Sequence, residues 1–132
     1  MKVLALDYGS ARTGVAVSDP TGTLARPLGV VERAGTDTGL AELARLVREE
    51  AAERVVVGLP LTMRGTRGEQ AVETEAFADR LRAVLDVPVE LYDERFTTDL
   101  ARRTNDAASP EDARAAAHLL SSYLAWSSAA AT

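Results

Sequence analysis

The sequence predicts a mixed α/β fold in which one sheet carries helices on both faces. Three observations support this prediction. The chain of 132 residues is close to the length of one ordinary domain. Its apolar residues form short strand-like runs in the N-terminal part and recur at helical spacing in later segments. The resulting element order is βββαβαβα, an alternation typical of mixed sheets. We therefore expect a single domain over residues 1–132.

The first three elements are predicted strands of an antiparallel meander. The first strand is the apolar run 3–6, which stops at a turn that begins with Asp7. The second strand covers residues 14–17 and the third covers residues 28–32. Only a short connection joins the first two strands, so they are expected to form a hairpin. The meander is complete before any helix begins.

Helices and strands alternate in the rest of the chain. Apolar residues at helical spacing predict an amphipathic helix from Thr36 onwards. The β-branched run 54–60 is typical of a strand covered on both faces, and residues 88–92 predict the fifth strand. The helix between these two strands has a predicted inner stripe of six apolar residues: Val72, Ala76, Phe77, Leu81, Val84 and Leu85.

The last helix has a clear start signal in the sequence. Ser109 is a favourable N-cap, Pro110 suits the first helical position, and an acidic pair that includes Asp112 follows in the electropositive first turn. The helix is expected to reach about Trp126. The small residues 127–132 that follow it are expected to fray.

The composition excludes several classes of protein. With no cysteine, the chain has no disulfide, thiol nucleophile or cysteine-bound zinc, which agrees with a reducing cytosol. No apolar run approaches the roughly 20 residues of a membrane span, and no signal peptide is apparent. We therefore expect a soluble, cytoplasmic protein with no membrane partner. The net charge of −5 argues against nucleic acid, but fourteen of the fifteen basic residues are arginine, whose planar fork suits phosphate.

Three acidic positions fall near the carboxyl edge of the predicted sheet. They are Asp7 after the first strand, Asp93 or Glu94 after the fifth strand, and Asp112 at the start of the last helix. Ligand sites in open α/β sheets lie at this edge. Carboxylates suit Mg²⁺ or Mn²⁺ better than Zn²⁺ when the chain has no cysteine and one histidine. Such ions would promote the hydrolysis of a phosphodiester.

Each of these positions also has a purely structural interpretation. Asp7 at a strand end is a turn-forming residue. Asp112 stabilises the positive end of a helix dipole whether or not it binds a ligand. The segment 93–95 could be an exposed, ion-paired strand end, and His118, alone in a helix, is expected to pack or to face solvent.

Four motifs in order resemble the YqgF/RuvX family, relatives of the RuvC Holliday-junction resolvases in the ribonuclease H-like superfamily. The resemblance extends from about Met1 to Trp126. The motifs are Leu6-Asp7-Tyr8-Gly9 with Arg12 to Asp19, then Val57 to Leu61, then Asp93-Glu94-Arg95-Phe96-Thr97-Thr98, and finally Asp112 to Leu124. Together they are far more specific than any one alone.

The resemblance implies a ribonuclease H-like fold with a five-stranded mixed sheet in the order 3-2-1-4-5. It also implies that Asp7, Glu94 and Asp112 are catalytic and bind the metal ion. In RuvC-type enzymes the second acid is on strand four, but here that strand ends in Gly58 and Leu59 and has no carboxylate. Glu94 on the adjacent strand would have to replace it, although the sequence alone leaves Asp93 as an alternative.

Four arginines are the candidate substrate-binding residues: Arg12, Arg64, Arg67 and Arg95. Family members commonly have an Asn followed by an Asp-Gly pair in the loop after strand four. This chain has Thr62-Met63-Arg64-Gly65 there, so a basic residue, Arg64, replaces the acidic one. The exchange makes the loop more attractive to phosphate. These contacts would orient a nucleic-acid backbone without reading its sequence.

The resemblance implies a divalent-metal-dependent endonuclease that matures the 5′ end of pre-16S ribosomal RNA during ribosome biogenesis. RNA is the favoured partner and branched DNA the alternative, because the same site could resolve a Holliday junction. Resolution normally needs two symmetry-related sites, so a homodimer would favour it and a monomer would oppose it. A third hypothesis is an RNA-binding module for ribosome assembly or transcription with little hydrolytic activity.

Overall fold

A computed structural model describes residues 1–62, 64–96 and 111–130. Within these ranges the structure contains five strands, three α-helices and one turn of 3-10 helix. The strands are β1 (Val3–Asp7), β2 (Arg12–Ser18), β3 (Ala25–Glu32), β4 (Arg54–Leu59) and β5 (Val89–Asp93). The helices are α1 (Asp37–Glu49), α2 (Glu69–Val84) and α3 (Glu111–Ala130), and the 3-10 turn covers Glu94–Phe96.

The five strands form one sheet in the order β3-β2-β1-β4-β5. β2 is antiparallel to both β1 and β3, whereas β1 is parallel to β4 and β4 is parallel to β5. The predicted order and the mixed sheet are therefore confirmed. Because β1, β4 and β5 run in the same direction, their carboxyl ends meet at one edge of the sheet.

Helices cover both faces of the sheet. Alternate residues of β1 face opposite ways: Leu4 and Leu6 pack with α1 and α2, whereas Val3 and Ala5 pack with α3. β4 is apolar on both faces, as its β-branched run predicts, with Val55, Val56 and Val57 all fully buried. The first turn of α1 is capped by Thr36, whose side chain accepts a hydrogen bond of 3.1 Å from the Gly39 nitrogen.

The third strand is longer than predicted. It begins at Ala25 rather than at residue 28, and its first residues pair with Ala16, Val17 and Ser18 of β2. Pro27 is tolerated there because β3 is an edge strand, where one side has no partner that needs its missing N–H group. A shift of register at Val15 and Ala16 accompanies this added pairing.

The predicted inner stripe of α2 is partly wrong. Phe77 and Leu81 are in the core and Leu85 packs against it, but Ala76 is exposed and the side chains of Val72 and Val84 are about half exposed. The buried face consists mainly of small residues: Ala71, Thr74, Phe77, Ala78 and Leu81. Three of these five residues are small, whereas the larger Val72 and Val84 are exposed, so hydrophobicity alone does not decide which face of the helix is buried.

The last helix is longer than predicted. α3 continues through Ala130 instead of ending near Trp126, because residues 127–130 are two serines and two alanines that contain no helix breaker. The predicted N-cap Ser109 and Pro110 lie outside the described residues, as do Thr97, Thr98 and residues 131–132. None of the described helices is long and apolar enough to cross a membrane.

Candidate active site

Asp7 lies at the end of β1 between two glycines of the neighbouring strands. On one side it pairs with Gly14 of β2. On the other side, Leu6 pairs with Val57 of β4, so Gly58 is the next residue on that strand. The two positions that flank Asp7 across the sheet therefore have no side chains.

Asp7 and the two glycines share the face of the sheet that α3 covers. The residues two positions away on the same strands pack against α3: Ala5, Ala16 and Val56. Because residues two apart in a strand face the same way, Asp7 points to the α3 side. The gaps above Gly14 and Gly58 open on that same side.

The gap above Gly58 is filled by the Glu94 carboxyl group. A Cβ atom on Gly58 would overlap Glu94 Oε1 and would lie 2.8 Å from Glu94 Cγ and 3.0 Å from Glu94 Cδ. Glu94 comes from the 3-10 turn that follows β5, one strand further along. The Glu94 side chain thus reaches from the neighbouring strand end across the glycine of β4.

Asp93 has a different environment from Glu94. Arg95 donates to it from its main-chain nitrogen (2.9 Å to Oδ1), from Nε (3.0 Å to Oδ2) and from Nη2 (2.7 Å to Oδ2). These hydrogen bonds lower the pKa of the Asp93 carboxyl below its ordinary value. The structural interpretation of segment 93–95, an ion-paired strand end, thus applies to Asp93 and Arg95. The Glu94 carboxylate lies over Gly58 instead.

The gap above Gly14 is filled by the first turn of α3. A Cβ atom on Gly14 would overlap the carbonyl group of Asp112 and would lie 3.1 Å from the Ala113 nitrogen. The Asp112 carboxylate forms an ion pair with Arg12, with Oδ2 3.3 Å from Nε. The Arg12 side chain is 65% exposed, so this ion pair lies at the surface.

Asp7 and Glu94 line one cleft of about 260 Å³ at the carboxyl edge of the sheet. Its other walls come from the turn after β1, from the end of β4 and from α2: Tyr8, Gly9, Ser10, Pro60, Gln70, Glu73 and Thr74. Asp112 does not line this cleft. In residues 1–62, 64–96 and 111–130, no three acidic or histidine side chains are grouped closely enough to hold a metal ion. The structure thus joins two of the three predicted acids.

The contribution of α2 to the cleft was missed by the sequence analysis. Thr74 is 2% exposed, and its hydroxyl donates a 2.8 Å hydrogen bond to the Gln70 carbonyl. Glu73 is exposed beside it. A threonine in a helix indicates a site of this kind only once it is known that the helix buries the face on which the threonine lies. Nothing in the sequence distinguishes Glu73 from the other acids of α2.

The four candidate arginines differ in their availability. Arg67 forms an ion pair with Glu75 at 2.5 Å, and Arg95 is held by Asp93. Arg95 also lies next to Gly65, whose φ of +80° forms the turn of the loop after β4. Arg64 is exposed and forms no ion pair with any residue that the structure describes.

His118 is partly buried on α3, outside the cleft lining, and burial lowers its pKa.

Comparison with known proteins identifies relatives over nearly the whole chain. The RuvX family, described as Holliday junction resolvase, matches residues 1–126. A protein of Syntrophomonas wolfei named "Putative pre-16S rRNA nuclease" is 38% identical over 132 residues, which cover 94% of each chain. A protein of the same name from Chloroflexus aurantiacus is 48% identical over 101 residues, 76% of this chain. That match spans 66% of the Chloroflexus protein.

Solved structures with the same fold include two Holliday junction resolvases. Thermus thermophilus RuvC in complex with a Holliday junction substrate has a TM-score of 0.63 at 20% identity, covering 96% of both chains. The fowlpox virus Holliday junction resolvase has a TM-score of 0.56 at 13% identity, covering 96% of this chain and 99% of that one. Identities this low establish a common fold and nothing finer.

Proposed function

This chain belongs to the RuvX family, and we propose that it is a cytoplasmic nuclease that hydrolyses RNA phosphodiester bonds in the cleft lined by Asp7 and Glu94. The observation that carries the proposal is that both of these acidic residues line one cleft at the edge where β1, β4 and β5 end. The names of the relatives support a precursor of 16S ribosomal RNA as the substrate, and cleavage there would mature its 5′ end.

The residues of the cleft fit a divalent metal ion. Asp7 and Glu94 offer hard carboxylate oxygens at one edge of the sheet, which is the ligand chemistry that Mg²⁺ and Mn²⁺ prefer. These two residues would hold one ion or two, with Asp112 as the third ligand. When bound, such an ion supplies a more acidic water and neutralises charge on the phosphate.

Arg12 links substrate binding to the availability of Asp112. Its ion pair with Asp112 is exposed, and such pairs contribute little to stability. We infer that a substrate phosphate replaces Asp112 as the partner of Arg12. The Asp112 carboxylate then becomes available beside Asp7, because the contact with Gly14 keeps the start of α3 next to β1.

The other arginines would position the nucleic-acid backbone. Arg64 is the most available of them, whereas Arg67 and Arg95 share their charge with Glu75 and Asp93. The net charge of −5, together with the pairing of Arg67 and Arg95 within the described residues, implies few phosphate contacts. We therefore expect binding of a short RNA segment with a shallow dependence on salt concentration.

The test is cleavage of an oligoribonucleotide that spans the 5′ end of 16S rRNA, in the presence of Mn²⁺. Asp7→Asn should abolish cleavage, because it removes one charged ligand and keeps the size of the side chain. Asp86→Asn is the matched control, since Asp86 is exposed after α2 and does not line the cleft. Cleavage by Asp7→Asn at the rate of the unsubstituted protein would overturn the proposal.

The description of the matched family, Holliday junction resolvase, favours a second candidate, resolution of branched DNA. Two sites related by symmetry are needed for paired cuts, so this function requires a homodimer. Two measurements distinguish these functions: sedimentation gives the oligomeric state, and cleavage assays on a four-way DNA junction and on single-stranded RNA give the substrate. A monomer that cuts only RNA supports the first function, and a dimer that cuts the junction in pairs supports the second.

A further inference from the structure

A second cavity lies beside the cleft, and we propose that it binds one nucleotide of the RNA strand next to the phosphate that is cut. This cavity, called here the side pocket, has a volume of about 420 Å³, within the range of small-molecule sites. The proposal rests on the proposed function, since it places the nucleotide relative to the cleft of Asp7 and Glu94.

The side pocket and the cleft share a wall. Tyr8, Ser10 and Glu73 line both of them. The turn after β1 and Glu73 of α2 therefore lie between the cleft and the side pocket. A polynucleotide whose phosphate lies at Asp7 would place its next nucleotide over this wall.

Aromatic rings form one side of the pocket. Tyr8 stacks on Phe77 with ring centroids 4.2 Å apart and planes inclined by 20°. Gly35 also lines the pocket and lies beside Tyr8, since a Cβ atom there would lie 3.3 Å from the Tyr8 hydroxyl oxygen. Nucleobases stack on such rings without regard to sequence. An apolar pocket of this kind therefore suits a base.

Arg33 supplies a cation at the rim of the side pocket. Its φ of +48° is in the left-handed region, and its main-chain N–H donates a 2.9 Å hydrogen bond to the Ala11 carbonyl. The guanidinium is exposed and forms no ion pair within the described part of the chain. Arg80, by contrast, donates to the Gly35 carbonyl and to Asp37. Arg33 is thus the residue available for a phosphate.

The position of Glu73 gives the nucleotide a direction. Its exposed carboxylate lies in the wall between the two cavities and repels a phosphate there. The phosphate of the bound nucleotide is therefore expected at Arg33, with the base against the Tyr8 ring, which the buried Phe77 supports from behind. A carboxylate near the sugar also accepts a hydrogen bond from a ribose 2′-hydroxyl, which DNA does not have.

Ala76 allows the side pocket to be filled without disturbing the core. It lines the pocket and is exposed on α2, so Ala76→Phe adds a ring where the base would lie. Ala83→Phe is the matched control, because Ala83 is exposed on the same helix and does not line the pocket. Both variants are made with Asp7→Asn, so that binding of a labelled oligoribonucleotide is measured without cleavage.

We expect Ala76→Phe to weaken binding about tenfold or more, and Ala83→Phe to leave it unchanged. Oligonucleotides with an abasic residue at each position in turn provide the decisive comparison. At one position, the abasic residue should weaken binding of the oligonucleotide to the Asp7→Asn protein by a similar factor. The same abasic oligonucleotide should bind the protein that also carries Ala76→Phe no more weakly than the intact oligonucleotide does. Arg33→Gln should reduce the salt dependence of binding, whereas Arg48→Gln, on the exposed side of α1, should not.

Equal effects of the abasic position in both proteins, or unchanged binding by Ala76→Phe, would overturn the side pocket as a nucleotide site. The proposed function is judged separately by cleavage with the Asp7 side chain intact. Cleavage without a pocket effect disproves only the side pocket. Binding that depends on the pocket without any cleavage disproves only the hydrolytic function.

Discussion

Gly14 of β2 and Asp112 of α3 are in contact through their backbones, with no space for a side chain on residue 14. Gly14 is also the cross-strand partner of Asp7. One glycine therefore positions the start of α3 beside the acid that ends β1. On the other side of Asp7, Gly58 provides the equivalent space for the Glu94 carboxylate. The two glycines thus allow the Glu94 side chain and the backbone of Asp112 to lie close to the two strands that flank the end of β1.

Replacing Gly14 should destabilise the protein. In Gly14→Ala the new methyl group meets backbone atoms, which cannot rotate away, so α3 must shift. Overpacking of this kind costs about 1–3 kcal/mol, and we expect a loss of that size in the free energy of unfolding. Urea denaturation measures it. Gly29→Ala is the control, because no atom lies within 4 Å of a Cβ atom there. Equal stability of the two variants would contradict the close contact.

Replacing Gly58 should affect the site more than the fold. A methyl group in Gly58→Ala meets the Glu94 side chain, which can rotate away without moving the backbone. We expect a change in the free energy of unfolding below about 1 kcal/mol together with a marked loss of Mn²⁺-dependent cleavage. Denaturation and cleavage assays on the same preparation test this. Full activity in Gly58→Ala would show that the position of Glu94 over this glycine is unimportant.

Removing the charge of Arg12 should weaken substrate binding but not the fold. Its ion pair with Asp112 is exposed, so Arg12→Gln should change the free energy of unfolding by less than about 1 kcal/mol. KM for the RNA should rise several-fold. Arg26→Gln is a close control, since Arg26 is 60% exposed and also lies 3.3 Å from its partner, Glu50. A similar rise in KM for both variants would indicate a general charge effect.

The ion pair of Asp93 and Arg95 should make stability depend on pH in the acidic range. The pKa of Asp93 in the folded protein is below its ordinary value of 3.8, chiefly because Arg95 donates hydrogen bonds to it. A lowered pKa stabilises the fold above the unfolded-state pKa, and this stabilisation is lost as the pH falls through the folded-state value.

Asp93→Asn should therefore be less stable than the unsubstituted protein at pH 6, and the difference should shrink below about pH 4. Thermal unfolding followed by circular dichroism between pH 2.5 and pH 7 measures the two curves. A difference that stays constant over this range would show that the charge of Asp93 is not what stabilises the strand end.

The approach of α2 to the sheet shows where sequence reasoning reached its limit. Its most hydrophobic residues indicated an inner stripe that included Val72 and Val84, yet both are about half exposed. Periodicity identifies a helix, but the face that it buries depends on how closely the neighbouring layer allows it to approach. The walls that Gln70, Glu73 and Thr74 contribute to the cleft follow from that packing and were not predictable.

The order of the elements, the mixed sheet and the placement of acids at its carboxyl edge were determined by the sequence alone, because apolar periodicity and connection length limit how strands can pair. The tertiary structure decided three other features. The Glu94 side chain lies above Gly58, Asp93 is paired with Arg95, and Asp112 does not line the cleft. Gly14 and Gly58 contribute no side chains. Their importance therefore becomes visible only in the folded protein, where the start of α3 and the Glu94 side chain occupy the spaces above them.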